Sequence, residues 1–255
     1  MGERVITVMT ANVGAGLASV GEIEEAVRKA DADIIAFEEL PREQGEQLTA
    51  TFADRYPASA SFGDGHEGRG ILSRYPLTSA HTVEIATGRP DVVALVDVDG
   101  LELTVVVAHP RPQKLSPGGL FFAFGSLRQM LRLGQNTVDS APAVLLGDFN
   151  MTPRHPGYAR LRDLGLVDAF GVAGKGLGLT FPTRVGVTKW SRNERIARSK
   201  IVPLVRFDYV WCTPDITVEA AWIGPDTGAD HATVMARLRL PQDDDASKAP
   251  GTATG

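Results

Sequence analysis

Five apolar runs in this chain end in side chains able to bind a cation or move a proton: Asn12, Glu39, His109, Asp148 with Asn150, and Asp230 with His231. In the clearest case Pro142 leads into Ala-Val-Leu-Leu, which reads as a buried strand, and Gly147 then passes the chain to Asp148, Phe149 and Asn150. A carboxylate taken out of water costs several kcal/mol unless a cation or donor meets it, so an acid at the end of a core strand demands a partner. A lone Gly-Asp is more often a turn acid capping the next segment. Five such endings in one chain suggest instead a single cleft at a sheet rim, lined by carboxylates, amides and imidazoles. Oxygen-rich donor sets with few cysteines suit Mg2+ or Mn2+ rather than a closed zinc site. Such a cation neutralises a phosphate ester and its transition state, so the chemistry is transfer of a phosphoryl group to water.

The elements that must position these groups follow in order. Arg4 to Thr10 alternates as a first strand ending at Asn12, and Ser19 caps a helix with Val20, Ile23, Val27 and Ala30 on one face. Asp33 to Phe37 is a second buried strand that stops in Glu38 and Glu39; a helix over 42–54 buries Leu48 and Phe52. Ser61 to Glu67 reads as a glycine-rich loop, Gly70 to Ser73 as a short strand, and 74–77 as a turn. Val92 to Val98 and Leu101 to Val107 form a hairpin about Asp99-Gly100, and the second arm delivers His109. Helical spacing from Gly119 to Val138 predicts a long helix returning to the Asp148 strand, and a short helix follows His155-Pro156. In Val205 to Trp211 the aromatics alternate with Asp208, which therefore points to the opposite face. Strands over 216–223 and 233–240 bracket Asp230-His231.

Composition bounds the rest. The chain has 255 residues, 43% of them hydrophobic, with a net charge of -5, which excludes a protein that coats nucleic acid over its whole surface. One cysteine, Cys212, excludes an internal disulfide, and no run reaches the roughly 18 apolar residues of a membrane span. A soluble, cytoplasmic monomer is expected, with one domain over 1–240 and a disordered acidic tail over 241–255. Charge is uneven: Arg184, Lys189, Arg192, Arg195, Arg198, Lys200 and Arg206 stand against one acid, Glu194.

The ordered set Asn12, Glu39, His109, Gly147-Asp148-Phe149-Asn150, Arg206-Phe207-Asp208-Tyr209 and Asp230-His231 resembles the endonuclease/exonuclease/phosphatase superfamily over about residues 5–240. The resemblance implies an α/β fold of four layers (αββα), with two mainly antiparallel sheets face to face and helices outside. It implies a Mg2+- or Mn2+-dependent hydrolase of phosphate esters. Glu39 then resembles the principal metal ligand, with Asn12 and Asp230 near the same ion. Asp148 orients or deprotonates the attacking water, Asn150 holds the phosphate or that water, and His109 contacts the phosphate or protonates the leaving oxygen. His231 acts as base or charge-stabilising imidazolium with Asp208 as its carboxylate partner; which of Asp148 and His231 takes the proton is left open. Three positions depart from the family pattern: Glu38 stands where Gln is common, Ala229 where Ser often precedes Asp-His, and Gly14 where some nucleases carry an acid.

Taken singly, several of these have plainer readings: Asp208 as a surface acid paired with Arg206, Glu39 as a helix-entry acid, His231 as a satisfied core histidine. Asp168 and Thr180 read mainly as support. The substrate divides three ways. Arg111, Trp190, Arg192 and Arg195 could hold a polyanion by charge and a base by stacking, giving a nuclease. The same core with other rim loops gives a phosphatase or phospholipase-type hydrolase of a phosphoinositide, sphingomyelin or another small phosphate ester. A binding protein with a dead site is the third reading, opposed by the retention of every core group.

Overall fold

The protein is described from a computed structural model, covering residues 3–86, 88–112, 114–116, 119–121, 124–184 and 199–242. The chain runs β1 (Val5–Asn12), α1 (Val20–Ala30), β2 (Ile34–Glu38), α2 (Arg42–Thr51), β3 (Ala58–Phe62), a 3-10 turn (Gly65–Glu67) and β4 (Arg69–Ser73). It continues through β5 (Leu77–Ala86), β6 (Arg89–Val98), β7 (Leu101–Ala108), the short β8 (Lys114–Ser116) and β9 (Gly119–Phe121), then α3 (Phe124–Asp139) and β10 (Ala143–Asp148). Last come α4 (Pro156–Asp163), β11 (Val167–Asp168), α5 (Ala169–Ala173), β12 (Asp208–Cys212), β13 (Thr217–Ile223) and β14 (Val234–Arg239).

Among the described residues two six-stranded sheets carry the fold, ordered β13-β14-β1-β2-β4-β3 and β11-β12-β10-β7-β6-β5. Each has one parallel pair at its centre, β1 with β2 and β7 with β10, and antiparallel neighbours elsewhere. The two-residue period of a strand divides the apolar side chains between the faces. Ile6, Val8, Ile34 and Ala36 of the first sheet meet Val105, Val107, Val144, Leu146 and Val210 of the second in the central core. The alternate residues Met9, Ile35 and Phe37 pack beneath Ile23 and Val27 of α1 and Leu48 of α2, while Leu145, Tyr209 and Trp211 pack against Met130 and Leu133 of α3 and Leu161 of α4. Four layers result, helix, sheet, sheet, helix, as expected. Each fully buried Val, Leu or Ile contributes roughly 1.5–3 kcal/mol relative to exposure.

Local signals explain most elements. Ser19 and Glu22 form a reciprocal capping box at the head of α1. Asp99 and Gly100 both take left-handed backbone, the geometry of the expected hairpin turn. Two expectations need correction. The helix expected from Gly119 begins at Phe124, because Gly119–Phe121 pairs with Lys114–Ser116 in a two-stranded ladder. Leu77, read as the end of a turn, and residues 78–86, assigned to no element, form the edge strand β5, whose polar and exposed side chains gave no clean alternation. The tail over 243–255 lies outside the described residues.

The inward face of both sheets is apolar along its length and turns polar at one end only. The series Ile6, Val8, Thr10, Asn12 and Ile34, Ala36, Glu38 run down the first sheet; Val144, Leu146, Asp148 and Cys212, Val210, Asp208 run down the second. One rim of the sandwich therefore collects the polar ends of the central strands.

Candidate active site

On the first sheet, Asn12 is fixed from both sides. Its Oδ1 accepts the Gly14 N–H at 2.9 Å and its Nδ2 donates to Asp148 Oδ2 at 3.1 Å. Glu39, just past β2, takes left-handed backbone (φ 52°), a strained conformation for a non-glycine residue and one that turns its carboxylate into the cleft. Its Oε2 lies 2.6 Å from His66 Nδ1, and its Oε1 3.7 Å from His109 Nε2.

On the second sheet, Gly147 lets β10 approach β7: a Cβ there would stand 1.8 Å from the Ala108 carbonyl oxygen. His109 and Asp148, each one residue beyond this contact, are thereby brought together, with Nε2 3.5 Å from Oδ2. Asp148 Oδ1 accepts the Asn150 N–H at 2.8 Å, and Asn150, also left-handed, donates through Nδ2 to the Pro110 carbonyl at 3.1 Å. His231 Nδ1 meets Asp208 Oδ2 at 2.9 Å, leaving Nε2 3.7 Å from Asp148 Oδ2. Thr180 holds this pair in place by accepting the Phe207 and Asp208 N–H groups, and the Phe181 ring packs 4.6 Å from the His231 ring. Asp230 lies beside His231 and is partly exposed.

The fold thus brings together Asn12, Glu39, His109, Asp148, Asn150, Asp208 and His231, with Asp230 at their edge. Arg206 does not pair with Asp208. It forms a two-pronged bond to Asp168 at 2.6 and 3.3 Å, which also accepts Tyr158 Oη at 2.9 Å, so Asp168 is scaffold, as read from the sequence. Arg184 and Lys200 both hold Asp226, at 3.0 and 2.7 Å. Arg111 is exposed two residues beyond His109, while Trp190, Arg192 and Arg195 lie outside the described residues.

Electrostatics sort the groups. Burial lifts Asp148 to about 7, with Asp208 and Glu39 adding to the rise against the pull of His231. Burial alone would lower His231, but Asp208, Asp148 and Asp230 outweigh it and push it up to about 10. His109 moves the other way: burial, then Arg69 and Arg89, hold it well below the usual imidazole range, so it is neutral near pH 7. Burial also raises Asp230, helped by Glu39 and Asp208. Carboxylates that push one another upward in this way fit a site made for a divalent ion. Asp148, Asp208 and His231 place one ligand atom each within 4.8 Å of one another. A hard ion prefers oxygen donors, which Asn12, Glu39 and Asp230 supply.

Sequence reasoning missed three neighbours of the site. His66 sits in the glycine-rich loop, where no periodicity marks it. Arg69 and Asp91 are buried at the heads of β4 and β6; Asp91 Oδ1 accepts the His109 N–H at 3.3 Å, and burial raises its carboxyl to about 6. A charge heading a β-branched run was the available signal.

Comparison with known proteins bears on the fold and the family. No curated protein matches the chain by sequence. Solved structures share its fold. A Bacteroides thetaiotaomicron endonuclease/exonuclease/phosphatase family protein has a TM-score of 0.71 at 15% identity, covering 95% of this chain and 100% of that one. A mannosyl-6-phosphatase from the same organism gives 0.68 at 15%, covering 91% and 99%. D. rerio TDP2 complexed with a single-strand DNA product gives 0.68 at 17%, covering 92% and 98%. The profile of the Endonuclease/Exonuclease/phosphatase family matches residues 9–231, and the chain belongs to that family.

Proposed function

We propose that this protein hydrolyses phosphodiester bonds by in-line attack of water, with Asn12, Glu39 and Asp230 holding Mg2+ or Mn2+ and the buried Asp148, Asp208 and His231 handling the proton. The observation that carries this reading is the convergence on one oxygen: Asp148 Oδ2 has Asn12 Nδ2 at 3.1 Å, His109 Nε2 at 3.5 Å and His231 Nε2 at 3.7 Å. When bound, the ion neutralises charge on the phosphate and on its transition state.

The chain's own groups then divide the work. Asp148, once ionised, orients the water and takes its proton, and Asn150 holds the phosphate or that water. His231, charged and tethered by Asp208, stabilises the developing negative charge and returns a proton to the leaving oxygen. A histidine held as a cation is a poor base, which favours Asp148 in that role. His109, kept neutral, serves as an N–H donor to the phosphate rather than as the acid. Because β1 pairs with β14, the two ends of the domain close one sheet, and we read residues 1–240 as a single domain.

For the substrate, nuclease-like action on a polynucleotide is the first reading, with Arg111, Trp190, Arg192 and Arg195 as candidate contacts. A phosphatase or phospholipase-type reaction on a small phosphate ester is the second. It is favoured by the fate of three cations in the basic stretch: Arg184 and Lys200 are held by Asp226, and Arg206 by Asp168. Hydrolysis of bis(4-nitrophenyl) phosphate tests the chemistry. Turnover should need Mg2+ or Mn2+ and fall at least roughly 100-fold in Asp148→Ala and in His231→Ala; full activity in EDTA, or in both variants, overturns it. DNA, RNA, inositol phosphates and sphingomyelin compared side by side separate the two substrate readings.

A further inference from the structure

We propose that His66 supplies an imidazole ligand to the ion held by Glu39, so that this centre favours Mn2+, Co2+ or Zn2+ over Mg2+. The inference rests on the proposed metal role of Glu39 and goes beyond it. His66 Nδ1 stands 2.6 Å from Glu39 Oε2, a hydrogen bond that brings an imidazole nitrogen alongside the carboxylate proposed to hold the ion. The side chain of His66 is 48% exposed and that of Glu39 16%, so the imidazole approaches from the solvent side of the cleft, where a hard ion would otherwise keep water.

The approach is built into the backbone. Asp64 caps the 3-10 turn over Gly65–Glu67 through the Gly65 N–H at 2.9 Å, and the same carboxylate accepts the Arg42 N–H at 2.8 Å, tying the turn to α2. Arg69 Nη1 donates to the His66 carbonyl at 3.2 Å. Leu40, the residue after Glu39, donates its N–H to the Gly68 carbonyl at 3.2 Å. Only glycine permits this contact, because a Cβ on Gly68 would stand 1.7 Å from the Leu40 carbonyl oxygen. Glu39 and His66 are therefore held by adjoining, hydrogen-bonded segments.

A nitrogen donor changes what the site prefers. Carboxylate and amide oxygens suit Mg2+ and Mn2+, whereas imidazole shifts affinity toward the later divalent metals of the first transition row. Titration of the purified protein with Mn2+, Co2+ and Mg2+ tests this without turnover. In His66→Gln, Mn2+ and Co2+ affinity should fall at least about 10-fold, the scale of losses around metal sites, while Mg2+ affinity stays within about twofold. Pulsed EPR of the Mn2+ form should lose a nitrogen coupling in the same variant. In His66→Cys, Co2+ should gain a sulfur-to-cobalt charge-transfer band. Unchanged Mn2+ affinity with no lost coupling and no new band overturns the proposal and leaves His66 as a hydrogen-bond partner of Glu39. A wild-type protein that binds none of the three ions would remove the metal-assisted reading itself, a separate outcome.

Discussion

The two sheets share one plan and carry different chemistry. Each places a parallel pair at its centre and lets its inward face turn polar at the same rim, yet the first delivers Asn12 and Glu39 while the second delivers His109, Asp148 and Asp208. Glu39 is partly open to solvent and sits on strained backbone; Asp148 and Asp208 are 2% and 1% exposed. Oxygens near water can exchange ligands with an ion, whereas groups sealed between sheets have their proton affinities set by one another. Under the proposed function the open Glu39 holds the ion, and the buried Asp148, with His231 tethered by Asp208, handles the proton.

That division can be broken in several places, beginning where the loss should be largest. Arg206 and Asp168 brace the second rim without touching the reacting groups. Arg206→Ala strands a buried carboxylate and should destabilise the fold by about 3–5 kcal/mol in urea unfolding, with turnover of the folded fraction little changed. A stability loss under 1 kcal/mol would mean the rim is held by something else.

Asp91 gives a pH signature next. Its carboxyl is raised to about 6 in the folded protein, so between its unfolded value of 3.8 and 6 the native state binds more proton than the unfolded one. Stability from this group is therefore present at low pH and lost as pH rises through about 6, by about 3 kcal/mol in all. Asp91→Asn should remove that decline while still accepting the His109 N–H. An unchanged slope between pH 4 and 8 would show that Asp91 is ionised throughout.

The smallest effect belongs to the first rim. Burial holds the Glu38 carboxyl well above its usual range, against a 2.8 Å hydrogen bond from Thr10 Oγ1, which favours the protonated acid near pH 7. Glu38→Gln, which preserves shape and acceptor, should change unfolding free energy by less than about 1 kcal/mol at that pH. A loss of several kcal/mol would indicate an ionised Glu38 paired with Arg69.

These cases also mark how far the sequence could be read. Strand ends carried the site because Asn12, Asp148 and Asp208 continue an alternation that is apolar up to the rim, and a two-residue period survives tertiary packing. The hairpin at Asp99-Gly100 was legible from turn chemistry alone. Arg206 and Asp208, two residues apart, share a side of the strand in any sequence reading, and only the fold brings Asp168 close enough to capture the arginine. His66 was invisible because a glycine-rich loop has no period, and its meaning arises from the contact of Gly68 with Leu40. Strand β5 was missed for a related reason: an edge strand with exposed polar side chains has no apolar face to announce it.

The most direct test sets the open carboxylate against the buried cluster in a single pair of variants. For Glu39→Gln and His231→Ala, divalent-ion affinity by calorimetry and kcat on a phosphodiester at saturating metal are measured together. The account predicts that Glu39→Gln weakens Mn2+ binding at least about 10-fold, while His231→Ala lowers kcat at least about 100-fold with ion affinity within about threefold of wild type. Unaltered ion binding in Glu39→Gln, with the loss appearing instead in His231→Ala, would contradict the assignment of ion holding to Glu39.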